Sequence, residues 1–177
     1  MQEKKDLRKH IIAQRNQILN EQKSLWDRTI NEQLELILGL GDIQTVHTFI
    51  PMHGEVNIIP TIQYMLNRGI KIICPKSLPK RCMENRVLTS LHQLENGMYG
   101  TQHPASTQIY NDTVDLIIVP GLAFDLNHYR MGYGAGYYDT FLLQHPNALK
   151  LGVCYPFQLV DKVPVEAHDV KLDGVIY

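Results

Sequence analysis

Three glycines at alternate positions, Gly132, Gly134 and Gly136, stand between an arginine, Arg130, and an aspartate, Asp139, in the run Arg130, Met131, Gly132, Tyr133, Gly134, Ala135, Gly136, Tyr137, Tyr138, Asp139. Glycine tolerates positive φ and lets backbone N–H groups come close to a ligand. A glycine-rich turn that leads into a helix N-terminus is suited to an anion. Arg130 adds a planar fork matched to phosphate oxygens. Asp139, just past the turn, is the type of group that holds Mg²⁺ beside phosphates. The spacing is neither GxGxxG nor GxxxxGK[ST], so it carries neither a dinucleotide fingerprint nor a Walker loop. Two readings remain open on these residues alone: a phosphate cradle, or a tight turn closed by a structural Arg–Asp pair.

The elements around this run say where it must sit. Val114 to Val119 is almost wholly apolar, as in a strand covered on both faces. Thr45 to Ile50, Ile70 to Cys74 and Lys150 to Cys154 have the same β-branched, apolar character. Helical spacing marks Asn57 to Asn67 and Tyr137 to Leu143. Residues 3 to 38 also read as helix, with Asn20 as the N-cap of a second helix running to Gly39. Strands alternating with helices predict an α/β fold: one three-layer domain over residues 1–177, with a mainly parallel central sheet flanked by helices. The glycine run then falls at the carboxyl end of a central strand, where open α/β sheets bind ligands. Residues 77 to 113 break the rhythm and read as a loop, a short strand pair around Arg86 to Leu88, and a second loop. That length invites a binding role.

Composition narrows the function classes. Apolar residues make up 44% and charged residues 20%, which suits a globular core rather than a disordered chain. A net charge of −1 gives no overall attraction to nucleic acid or to an anionic membrane, so neither is expected as a partner. Three cysteines without a CxxC pair suggest a reducing compartment. The amino terminus lacks a secretory pattern, and no apolar run approaches the ~20 residues of a membrane span. A cytoplasmic protein is expected, and a monomer. No Ser–His–Asp or Cys–His nucleophilic set is legible, and His47, in a strand, reads as a structural histidine. The first helix opens on Lys4, Lys5, Arg8 and Lys9, cations that oppose the helix dipole. They are either a solvated, frayed end or a group awaiting an anion.

The run Pro120 to Asp125, followed by Arg130 to Asp139, resembles the signature of the 5-formyltetrahydrofolate cyclo-ligases, also called methenyltetrahydrofolate synthetases. Three further motifs follow in order: Lys4 to Arg8 resembles the family's amino-terminal basic motif, Met52 to Glu55 its acid after the first strand, and Val163 to Asp169 with Leu172 and Asp173 its carboxy-terminal motif. Four ordered motifs cover nearly the whole chain. The resemblance implies an ATP- and Mg²⁺-dependent enzyme that closes the formyl group of a reduced folate into a methenyl bridge. It implies ATP contacts from Lys4, Lys5, Asp6, Leu7 and Arg8 and from the loop Arg130, Met131, Gly132, Tyr133, Gly134, Ala135, Gly136, Tyr137 and Tyr138. Folate contacts are implied for Ile50, Glu55 and Tyr133 to Tyr137. Mg²⁺ ligands are implied at Asp139 and Asp169, and catalytic roles fall to Arg130 and Tyr137, with Tyr138 the alternative to Tyr137 as donor to the formyl oxygen. Taken alone, Glu55 reads as a solvated loop acid and Asp169 as a turn or helix cap.

Ala135 departs from the family pattern, which commonly has Gly or Lys there, and so puts more weight on Arg130, Lys4 and Arg8. The cluster Lys76, Lys80, Arg81 and Arg86 is either a solvated loop or a basic patch for a polyglutamate tail on the folate substrate. Two other functions fit the same scaffold. One is a different phosphate-using α/β enzyme, active without ATP. The other is a folate or nucleotide binder without turnover.

Overall fold

The structure, a computed structural model, describes residues 2–166 and 169–177. Two helices come first, α1 (Gln2–Arg15) and α2 (Asn20–Leu40). Then follow β1 (Thr45–His47), α3 (Ile59–Asn67), β2 (Lys71–Ser77), β3 (Met83–Leu88), β4 (Leu94–Asn96) and β5 (Gln102–Pro104). The second half holds β6 (Leu116–Val119), β7 (Ala123–Asp125), β8 (Arg130–Met131), α4 (Tyr137–Gln144), β9 (Leu149–Val153), β10 (Leu159–Val160) and β11 (Gly174–Ile176).

Six strands make the central sheet in the order β11-β9-β6-β1-β2-β3. Five run parallel, and β3 pairs antiparallel with β2 at the edge. Alternation along the strands divides the core. Val46, Ile72, Leu116, Ile118 and Leu151 face Ile30, Leu34 and Leu38 of α2 and Ile58, Ile62 and Met65 around α3. Ile73, Ile117 and Val119 face the other way, toward Phe124 and toward Phe141 and Leu142 of α4. Every residue of β6 is buried, as its apolar run requires in a strand covered on both faces. The expected α/β architecture with a mostly parallel sheet is what the chain adopts. A smaller cluster seats α1 through Ile11 against Leu122, Ala123, Met131 and Val163.

Several boundaries differ from the sequence reading. The first helical stretch breaks at Asn16–Leu19, and Leu19, not Asn20, is the N-cap of α2, with no side-chain cap bond. The Leu19 carbonyl accepts the first helical bond, from Lys23 N. The strand expected from Val114 begins at Leu116, because the Asp115 carboxylate accepts from the backbone N–H groups of Gln44 and Thr45 and ties β6 to the start of β1. Residues 77–113 hold more than one short strand pair between two loops. β2 and β3 form a long hairpin whose tip, Lys80 and Arg81, has positive φ (60° and 62°), and β4 and β5 form a second hairpin. The short strands β7, β8, β10 and β11 escaped sequence reading because two or three residues carry no period.

The connection from β1 leads to β2 on one side, and that from β6 leads toward β9 on the other. The sheet therefore has its switch point between β1 and β6, and the segments leaving their carboxyl ends diverge there to leave a crevice. The fold is tight beneath it. A Cβ on Gly152 of β9 would lie 2.5 Å from the ring of the fully buried Phe124 and 2.9 Å from Leu172. Gly152→Ala is expected to destabilise the fold by about 1–3 kcal/mol, or about 2–4 °C in Tm for each, read by thermal unfolding.

Candidate active site

An open cavity of about 850 Å³ occupies the crevice, in the upper range for small-molecule sites. Its floor is the chain leaving β1 (Phe49, Ile50) and β6 (Pro120), one wall the glycine loop, another the amino end of α1, and a third the β2–β3 hairpin. Asp125, 1% exposed, builds the approach to the loop. Its Oδ1 accepts from the backbone N–H groups of Asn127 and Tyr129, and its Oδ2 from Val163 N. One carboxylate thus shapes the turn before Arg130 and docks the carboxy-terminal segment beside it.

Arg130 and Asp139 are paired at 2.8 Å, so the structural pair foreseen as an alternative does exist, and it lines the cavity. Burial pushes the Arg130 pKa down, and the Asp139 carboxylate opposes that shift. The pair also leaves capacity for a ligand. Among the described residues Arg130 Nε and the Tyr138 hydroxyl are buried without a hydrogen-bond partner, and both residues face the cavity. Buried polar atoms are ordinarily satisfied, so these two leave hydrogen-bonding capacity unused at the cavity wall.

The glycines act as expected at two positions. Gly136, with φ of 76°, is the N-cap of α4, and Gly134 has φ of 101°. A Cβ at Gly134 would sit 3.1 Å from the Arg8 guanidinium. Arg8 Nε donates to the Gly132 carbonyl at 3.0 Å, which clamps α1 to the loop. Lys4 reaches Asp169 at 3.2 Å and Glu166 at 3.5 Å, so this cation of the helix start is neither frayed nor solvated. Lys4, Lys5 and Arg8 line the cavity. Asp6 and Leu7, implied with them, do not. Helical rotation turns Asp6 outward, where it accepts from Gln2, and Leu7 packs into the cluster around Ile11.

Met131, Gly132, Tyr133, Ala135, Tyr137 and Tyr138 are all brought to the cavity, as are Ile50 and Glu55. Tyr137 donates to the Leu78 carbonyl at 2.6 Å, latching the hairpin tip to the loop. Glu55 is not a solvated acid. It is 5% exposed, burial raises its pKa, and its oxygens accept from Met52 N (2.9 Å) and the Tyr133 hydroxyl (3.1 Å), which oppose the rise. Asp169 accepts from Glu166 N at 2.7 Å as well as from Lys4, so the turn-cap reading holds beside its place on the cavity wall. Ala167 and His168, within the carboxy-terminal motif, lie outside the described residues.

The basic cluster separates. Arg81 lines the cavity, whereas Arg86 is held by Glu84 at 2.6 Å and by the Pro104 carbonyl. His47 is structural, as expected: Nε2 sits 3.2 Å from Asn85 Oδ1, its ring packs 4.2 Å from Phe141, and burial pushes its pKa down to about 3. Sequence reasoning missed Arg15. It is buried, and donates to the Tyr133 hydroxyl at 2.7 Å and to the Gly121 carbonyl at 3.1 Å. A cation at a helix end, seven residues from Arg8, offered no signal beyond its charge.

This geometry is that of an open α/β fold with a cation-lined cavity at the switch point of its sheet. The model of the 5-formyltetrahydrofolate cyclo-ligase family matches residues 1–177, and the chain belongs to that family. It is a ligase of folate metabolism. It is similar to the 5,10-methenyltetrahydrofolate synthetase structure from Aquifex aeolicus, with 30% identity, a TM-score of 0.84, and coverage of 98% of this chain and 88% of that one. The 5,10-methenyltetrahydrofolate synthetase structure from Mycoplasma pneumoniae gives 25% identity and a TM-score of 0.81, over 98% and 97% of the two chains. A probable 5-formyltetrahydrofolate cyclo-ligase of Caenorhabditis elegans is 25% identical over 98% of this chain and 92% of its own. No helix among the described residues is long and apolar enough to cross a membrane.

Gly134→Ala tests the cradle. If the loop is a phosphate cradle, the variant's backbone strain of about 1–3 kcal/mol and its crowding of Arg8 should weaken ATP binding about tenfold in a calorimetric titration, with a smaller effect on folate binding.

Proposed function

We propose that the chain converts 5-formyltetrahydrofolate to 5,10-methenyltetrahydrofolate, with ATP cleaved to ADP and phosphate. The observation that carries this reading is the shared cavity: a cationic, glycine-lined end beside Arg130 is continuous with an end bounded by Ile50, Tyr133 and the buried Glu55. A triphosphate suits the first. A pterin suits the second, because a carboxylate accepts from its amino and ring N–H groups.

The formyl group on nitrogen 5 is amide-like and a poor electrophile. Its oxygen attacks the γ-phosphorus and ADP departs, leaving a phosphorylated imidate. Nitrogen 10 adds to the activated carbon, loses its proton, and phosphate leaves as the methenyl bridge closes. Such a transfer needs positioning and charge neutralisation more than a protein nucleophile. Arg130, Lys4, Lys5 and Arg8 meet the phosphate charge, and the loop N–H groups cradle it. Tyr137 is proposed to donate a hydrogen bond that orients the formyl oxygen for attack while keeping its own proton, which requires its hydroxyl to leave the Leu78 carbonyl.

Mg²⁺ fits the same end. Asp139, Glu166 and Asp169 line the cavity, although no group of three or more His, Cys, Asp or Glu residues among those described is arranged to hold a cation alone. Mg²⁺ ordinarily takes one or two carboxylates together with phosphates, which matches Asp139 and Asp169. Bound there, it would neutralise charge on the transferring phosphoryl group.

Mixing the protein with 5-formyltetrahydrofolate, Mg²⁺ and ATP should produce the methenyl absorbance, and omission of ATP should abolish it. Product without ATP, or none with it from folded protein, would reject this reading. Arg130→Ala should lower kcat/KM by about a hundredfold or more. Tyr137→Phe should slow turnover with ATP affinity intact. For the polyglutamate tail, Lys80→Ala with Arg81→Ala should weaken polyglutamylated substrate more than the monoglutamate, and equal losses would end that idea.

A further inference from the structure

Arg15 closes α1, buried beneath the opposite end of the cleft from Lys4. Its guanidinium contacts two walls at once, through the Gly121 carbonyl behind β6 and the Tyr133 hydroxyl of the glycine loop. The Tyr133 hydroxyl in turn donates to Glu55 Oε1 at 3.1 Å. A third wall rests on the aliphatic stem of Arg15. Gly54, with φ of 78°, is folded so closely over it that a Cβ would lie 2.8 Å from Arg15 Cδ. Arg15 therefore supports the loop bearing Glu55 from below and its carboxylate from the side.

We infer that Arg15 is the positioning residue of the folate end of the cleft, holding the Glu55 carboxylate in place through Tyr133. This rests on the reading of Glu55 as the acid that meets the pterin. The arrangement has the form of a buried relay: Nη1 donates to the tyrosine oxygen and the tyrosine hydroxyl to the carboxylate, while Nη2 serves the Gly121 carbonyl and Nε has no partner among the described residues. Such networks lose geometry as a unit when one member is cut. Burial raises the Glu55 pKa, and Arg15 is among the groups opposing it. The titratable groups that act on Glu55 or feel its charge come from every side: Arg15 from α1, Tyr133 from the loop, Tyr138 from α4 and Tyr155 after β9. Of these, Arg15 is the cation in direct contact with the Glu55 hydrogen-bond partner. α1 also carries Lys4, eleven residues earlier, or about 16 Å along a helix at 1.5 Å per residue. One rigid rod thus spans the nucleotide end and the folate end.

The sign of the pH effect follows. Without Arg15 the carboxylate is less favoured, so its pKa rises further and protonation sets in at higher pH. Folate affinity should then fall away earlier as pH is lowered.

The test uses Arg15→Met, which keeps the stem and removes the donors, with Arg15→Lys and Tyr133→Phe beside it, each checked for cooperative thermal unfolding. Binding of 5-formyltetrahydrofolate alone is titrated across pH, and KM for folate and for ATP are measured separately. Arg15→Met should weaken folate binding about tenfold, the scale of one charge-assisted hydrogen bond, with ATP KM changed by less than about threefold. The acid limb of folate binding should move up by about half a pH unit or more. Arg15→Lys should recover part of the loss. If Arg15→Met does not fold, Tyr133→Phe reads the same acid limb with Arg15 in place. Unchanged folate affinity and acid limb, or equal losses for both substrates, would overturn the assignment while leaving the cyclo-ligase reading intact. A wild-type protein that binds no folate would remove both.

Discussion

A guanidinium taken out of water needs partners that compensate its charge, and the region around the cleft is organised by that requirement at Arg130. The residue is 6% exposed, and Asp139, from the first turn of α4, compensates it at 2.8 Å. Removing Asp139 would leave the Arg130 charge buried and uncompensated, at a cost of about 3–5 kcal/mol, so the two ends of the run are kept together. The intervening chain must then turn back within nine residues. Glycine at 134 and 136 makes the turn feasible, because both positions have φ values that side-chain-bearing residues rarely adopt. The pair thus anchors α4 to β8 and opens the backbone of the loop toward the cleft.

The second organising device is α1. It lies outside the central sheet and is seated by Ile11 on a small apolar cluster beside β7 and β8. Its polar contacts lead to separate segments: Lys4 to Glu166 and Asp169, Arg8 to Gly132, and Arg15 to Gly121 and Tyr133. None of these partners is near it in sequence, so α1 fastens parts of the cleft that the sheet alone does not connect. That explains why cations tolerate a helix start whose dipole disfavours them: Lys4 is offset by Asp169 and Glu166.

Much of the fold and a good part of the site were legible in the residues. The unbroken apolar run of β6 gave a strand buried on both faces, the periods at 57–67 and 137–143 gave helices, and the alternation gave the layered sheet. The glycine run was visible because glycine at alternate positions is costly without a purpose. Asp6 and Leu7 were carried in by adjacency in sequence, and helical rotation sent them elsewhere. The β2–β3 hairpin was underestimated because its tip is Lys-Arg, not the Asn-Gly pair that ordinarily marks such a turn.

Residue type and spacing by themselves determined the class of the fold, the anion-suited loop, the family resemblance and the set of charges available, since each depends on local periodicity or on chemistry carried by single side chains. Only the tertiary structure decided how those charges are used. Arg81 reaches the cavity while Arg86 is tied to Glu84, and Glu55 is buried where a loop acid is ordinarily solvated. Arg15 acts on a tyrosine 118 positions away. Desolvation and hydrogen bonding are set by what packs around a group, and that comes from strand order and helix docking rather than from any neighbour along the chain.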